Sequence, residues 1–161
     1  MSNLVLPIYD KNTLEFVTVA KEYSSYIETS KQQDLSGFLD RGIKLLPLLY
    51  LKATLLPDVE TMDEYTERYM DQNTYELVRV SLAELLGEKD VYLETFHKDM
   101  KYSDTPIAAF ISENLADIFQ DIADFIFIFR QGNESAMMEA LALCKANFGY
   151  WGQQLLNALK A

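Results

Sequence analysis

Between Pro106 and Gly132 the chain keeps a single helical period. Ile111, Leu115, Ile118, Ile122, Phe125, Ile126 and Phe129 return at three- and four-residue steps, the spacing that gathers apolar side chains on one side of an α-helix. Opposite them stand Glu113, Asp117, Asp121 and Asp124, which fall within an arc of about 80° at roughly 100° per residue. Such a segment buries its apolar side by packing on other elements and keeps its charges on the far side. Gly is scarce at six and Pro at four, too few for the turns of a sandwich or barrel. These features predict an all-α fold.

The rest of the chain supplies the partners. A first helix is expected from Asp10 or Asn12 to about Ser30, with Leu14, Val17, Ala20, Tyr23 and Ile27 on one face. A second, over 35–56, is apolar on most sides and is the expected centre of the bundle, with a kink at Pro47, which lacks a backbone donor. Thr61-Met62-Asp63-Glu64 has the form of a capping box and opens a third helix. A fourth runs over about 75–86 and stops at Gly87. Residues 88–103 read as a short helix or an anchored loop around Val91, Tyr92, Leu93 and Phe96.

Thr105 and Pro106 open the fifth helix, Gly132 closes it, and Asn133 caps a sixth. That last helix carries Met137, Leu141, Cys144, Phe148, Trp151, Leu155 and Leu159 towards the C-terminus. The two form an expected long C-terminal antiparallel hairpin. Gly149 and Gly152 would each weaken an isolated helix by about 1 kcal/mol, so close approach of a neighbouring backbone is the expected reason for them. With 161 residues, 49% of them hydrophobic, the length suits one domain over 1–161, a single-domain helical bundle of six to seven helices.

Charge narrows the partners. Fourteen basic against 25 acidic residues leave a formal charge of −11, which repels phosphate backbones and anionic lipid surfaces. Neither nucleic acid nor membrane is expected as a partner. The most apolar window, 43–56, is too short for a bilayer and carries Lys44, Pro47 and Lys52. Met1 to Asp10 has neither the basic start nor the apolar core of a secretory signal. Cys144 is the sole cysteine, so no intrachain disulfide or Cys-x-x-Cys pair forms, and a reducing, cytoplasmic setting is expected.

The carboxylate stripe is the segment that points to chemistry. As a solvated helix face it needs no further role. Enclosed in a groove, Glu113, Asp117, Asp121 and Asp124 would suit Mg²⁺ or Mn²⁺, hard cations that take carboxylate oxygens and keep waters for substrate phosphates. Helical nucleoside-triphosphate pyrophosphatases pair a Glu-x-x-Glu with a Glu-x-x-Asp; here Glu64 and Glu67 lie far upstream of Asp121 and Asp124, and the second pair begins with Asp. Glu94 and His97 form one Glu-x-x-His, but a di-iron bundle uses two and the chain has one His. No Ser or Cys lies in a nucleophile elbow. Ten tyrosines are expected at the borders of helix packing or at a wet interface, where ring and hydroxyl are both used. Tyr150 and Trp151 are the candidate interaction pair.

Two segments carry a resemblance. Ser112-Glu113-Asn114-Leu115-Ala116-Asp117-Ile118-Phe119-Gln120-Asp121, followed by Phe148-Gly149-Tyr150-Trp151-Gly152, resembles an uncharacterised bacterial domain-of-unknown-function family, the 5063 family. Leu85-Leu86-Gly87 and Asp90-Val91-Tyr92 extend it. The resemblance implies an all-helical fold and a marked segment at Glu113, Asp117 and Asp121, and it implies no activity. Two functions follow as expectations. One is a non-enzymatic cytoplasmic interaction or accessory protein that holds a protein partner; no cofactor is firmly implied, and homodimerisation through the last hairpin is compatible with this reading or the next. The alternative is a divalent-metal-dependent phosphohydrolase using the four carboxylates of the fifth helix, with Glu64 and Glu67 as a second pair.

Overall fold

The computed structural model describes residues 6–59, 70–94 and 107–161. After a 3-10 turn at Pro7–Tyr9 come α1 (Lys11–Glu28) and α2 (Leu35–Thr54), then α3 (Gln72–Leu86). A short antiparallel pair, β1 (Val91–Glu94) and β2 (Ile107–Phe110), leads directly into α4 (Ile111–Phe129), followed by α5 (Glu134–Ala146) and α6 (Phe148–Lys160). The all-α expectation holds. The capping box at 61–64, Glu67 and His97 lie outside the described residues.

Short polar side chains start most of these helices. Asp10 accepts from the Asn12 amide at 2.9 Å, Asp34 from Gly37 at 3.1 Å, Asp71 from Thr74 at 2.7 Å and Asn133 from Ala136 at 3.1 Å. Each satisfies an amide that the first helical turn leaves without a partner. Gly87 and Gly132 take φ of +57° and +80°, the left-handed region that a residue with a Cβ enters at a cost. The sequence places both stops correctly, and α3 starts at Gln72 rather than near Tyr75.

The centre of the bundle is α4, which packs against α1, α3, α5 and α6. Ala116 and Ala123 are buried on it, and such small side chains let neighbouring helices approach. α2 is not central, contrary to the sequence expectation. It lies on α1 and α6 through Phe38, Gly42, Leu46, Leu49 and Ala53, while Ile43 and Leu51, flanking that face, are 60% and 53% exposed. Apolar residues all round a helix do not say which side is covered, and Asp40, Arg41 and Lys44 lie with the exposed residues.

The expected hairpin of α4 with the C-terminal arm is present, but that arm is two helices. Asn147 interrupts it in a turn, where its carbonyl accepts from both Tyr150 and Trp151. The arm still runs antiparallel to α4: Gln154 meets Asn114, and Tyr150 meets Asp117. A Cβ on Gly152 would lie 2.9 Å from the Phe148 ring, whereas one on Gly149 would meet nothing within 4 Å. A ring within the same helix, not a neighbouring backbone, therefore accounts for Gly152. Nothing in the structure accounts for Gly149.

Of the segment expected as a short helix or an anchored loop, residues 88–90 are in a short 3-10 helix and 91–94 are instead a strand. A 3-10 turn, Gly87–Asp90, feeds β1, and Val91 pairs with Phe110 and Tyr92 with Ala109. Buried Asp90 accepts from both the Ser112 amide (2.7 Å) and the Ser112 hydroxyl (2.8 Å). The first turn of α4 is thus capped from another segment of the chain, and Phe110 at the helix start supplies no side-chain cap.

The core joins Phe16, Phe125, Phe148 and Trp151. Two buried tyrosines use their hydroxyls inside it, Tyr23 donating to the Leu115 carbonyl at 2.7 Å and Tyr26 to Phe38 at 2.8 Å. Full burial of a large apolar side chain contributes about 1.5–3 kcal/mol. The thirty or so apolar residues of this one cluster therefore make up the dominant stabilising term, set against chain entropy of similar size. None of the described helices is long and apolar enough to cross a membrane.

Candidate functional site

The acidic side of α4 runs along the seam between α3 and the α5–α6 arm. Glu113 is exposed, and Asp117, Asp121 and Asp124 are half-buried, so the stripe is neither fully solvated nor enclosed. Its best-defined member is Asp117. Tyr75 of α3 donates to one of its oxygens at 2.6 Å, and Tyr150 of α6 donates to the other at 3.1 Å. One carboxylate thereby ties α3 to α6 across α4.

The electrostatics match that role. Burial, then the bond to Asp117 and the charges of Asp117 and Glu113, push the Tyr75 hydroxyl well above its ordinary range. Tyr150 is pushed up to about 12, first by burial and then by the charge and hydrogen bond of Asp117, with Asp121 and Glu113 adding to it. Both phenols stay protonated and donate at neutral pH. A turn or two along α4, Asp124 accepts from the Met70 amide at 2.8 Å, and Asp121 lies near enough to Cys144 of α5 to raise its thiol further, after burial. Arg79 of α3 pairs with Glu76 at 2.8 Å and also feels Glu113.

These shifts set an alkaline limit. A phenol has an ordinary pKa near 10. A group raised in the folded state stabilises fully below its unfolded pKa and loses that contribution as pH rises through the folded one. The Tyr150 share is therefore present below about pH 10 and lost towards about 12. Melting temperature followed by circular dichroism falls across this window for the wild type, and Tyr150→Phe falls less steeply. Superimposable slopes would refute the Tyr150–Asp117 link.

Among the described residues, no group of three or more His, Cys, Asp or Glu is placed to hold a metal ion. The reason is geometric. Successive helical turns spread the four acids along α4 by about 5.4 Å each, and opposite Asp117 stand two phenols rather than further carboxylates. Glu64 and Glu67, the expected second pair, lie outside the described residues. The candidate interaction pair divides: Tyr150 is 57% exposed, but Trp151 is 0% exposed. Trp151 is a core residue, set about 100° round the helix from its exposed neighbour.

The family model of a domain of unknown function (DUF5063) matches residues 7–161. The chain belongs to the DUF5063 family. A solved relative with the same fold is protein BF1032 from Bacteroides fragilis, whose crystal structure superposes with a TM-score of 0.87 at 45% identity, covering 96% of this chain and 91% of that one. No curated protein matches. Within this DUF5063 domain, the sequence points to Asp117 and Tyr150 separately but not to their pairing, nor to Tyr75 as the second donor. It is equally silent on a polar join beside them, in which Tyr92 of β1 donates to Asn114 at 2.6 Å and Asn114 donates to Gln154 of α6. Each join links residues at least 22 positions apart, so no local motif carries it.

Proposed function

We propose that this DUF5063 domain is a non-enzymatic cytoplasmic interaction or accessory domain that meets a basic protein surface through the acidic side of α4. The observation behind this reading is Asp117 held between Tyr75 and Tyr150. The clamp fixes a carboxylate and an exposed aromatic ring in place before any partner arrives, next to exposed Glu113. Pre-ordered side chains lose little entropy on binding, and Tyr is among the residues that contribute most at interfaces. A net charge of −11 adds long-range attraction for a basic surface, which salt screens.

The test is affinity capture with the intact chain at low and high salt, comparing wild type with Glu113→Gln/Asp117→Asn. The expected result is a basic partner retained at low salt, released at high salt, and weakened at least tenfold by the double substitution. Retention indifferent to both salt and substitution would overturn the reading. So would Mn²⁺- or Mg²⁺-dependent release of phosphate from nucleotides that the same substitutions abolish, since that is the outcome of the metal-hydrolase alternative.

A further inference from the structure

A second feature stands apart from the acidic seam. Where the N-terminal half of α2 and the ends of α3 and α6 meet the start of α4, a half-open cavity of about 450 Å³ remains. That volume lies within the ordinary range of about 300–1,000 Å³ for small-molecule sites. Its walls include Leu39, Ile43, Leu46, Ile111, Ala158 and Leu159. The Tyr26 hydroxyl also borders it but is already donated to the Phe38 carbonyl. Gly42 is part of the wall, and a Cβ there would lie 2.6 Å from that hydroxyl oxygen. A larger residue would displace Tyr26 and change the cavity's shape.

The charged side chain in the lining is Lys89, from the 3-10 turn between α3 and β1. It is exposed at the rim and forms no ion pair with any described residue. Ala161, just past α6, also lines the cavity; with Lys89 as its one charged side chain, the largely apolar chamber complements a molecule with an apolar body and one anionic head. The walls offer few donors for a phosphate-rich or polyhydroxyl ligand, and the ammonium disfavours a cationic one. We propose that this cavity binds a small amphipathic monocarboxylic acid, its apolar chain against Ile43, Ile111 and Leu159 and its carboxylate at Lys89. Each buried methylene of the chain adds apolar contact, so the chain supplies affinity and the ion pair supplies direction.

Decanoate, used below its micellar concentration, is the probe, with decanol and decyltrimethylammonium as neutral and cationic controls of equal chain length. Titration calorimetry on the intact chain is expected to show saturable one-to-one binding of decanoate. Lys89→Gln, a surface change that leaves the core intact, weakens it at least fivefold without altering decanol binding. Leu159→Phe, which narrows the chamber at a half-buried position, abolishes binding of both. No saturable decanoate binding, or decanoate binding unchanged in Lys89→Gln and matched by the cationic control, overturns the proposal. A protein partner lost with Leu159→Phe while decanoate fails to bind also overturns it, because the cavity would then be a socket for a partner's side chain.

Discussion

Trp151→Ala lowers the unfolding free energy by about 3–5 kcal/mol, the range for truncating a large aromatic in a packed core. The side chain is fully enclosed. Its ring meets Phe148 edge-on at 4.8 Å and lies 6.3 Å from Phe16, and Nε1 donates to the Cys144 carbonyl at 3.0 Å. It therefore packs α6 against α1 and ties α6 back to α5 across the turn at Asn147. Truncation opens a cavity among rings too rigid to collapse into it, and it strands a buried carbonyl. Trp151→Phe keeps most of the ring contact and costs less, about 1–3 kcal/mol, chiefly the lost hydrogen bond. Since the chain has one Trp, urea unfolding is best followed by circular dichroism. A loss under about 1 kcal/mol for the Ala variant would remove Trp151 from the role of packing anchor.

The second large effect comes from a carboxylate outside the stripe. Asp90→Ala is expected to cost about 2–4 kcal/mol, because it combines the loss of a helix cap with two buried donors left without their acceptor. Ser112 is fully buried, and its amide and hydroxyl both point at Asp90. The negative charge also sits at the positive end of α4. Asp90→Asn keeps one acceptor and loses the charge, so it costs roughly half as much. Amide exchange localises the change: Ser112 and its neighbours in the first turn of α4 exchange faster in Asp90→Ala, while the middle of the helix changes only with global stability. An unfolding free energy within about 0.5 kcal/mol of wild type would mean that water replaces the cap.

What the sequence reveals follows from how local each signal is. Asp10, Asn133, Gly87 and Gly132 act within one or two turns of where they stand, and each is placed correctly by its neighbours. The apolar and acidic faces of α4 are equally legible, being a property of one continuous segment. The turn at Asn147 is not, because Cys144, Phe148, Trp151 and Leu155 keep helical spacing straight across it. β1 and β2 escape notice because four-residue strands carry too short a pattern to register, and each depends on a partner elsewhere in the chain. The outer position of α2 depends on which of several apolar faces the rest of the fold covers. At the site, the acids can be named but not their neighbours: Tyr75, Asp117 and Tyr150 come from three helices, and only the packed structure joins them.

Cys144 gives the molecule a built-in clock. It is the single thiol, it is enclosed between α5 and the core, and burial, aided by the charge of Asp121, holds it in the unreactive protonated form. Since the thiolate is the reacting species, a thiol reagent added to the native protein must wait for this region to open. Labelling rate then converts into the free energy of opening for the seam that holds Asp121 and Trp151, with no added tag or engineered probe. Because that seam lies beside the acidic face, the proposed binding of a partner there would register as a slowing of the same reaction.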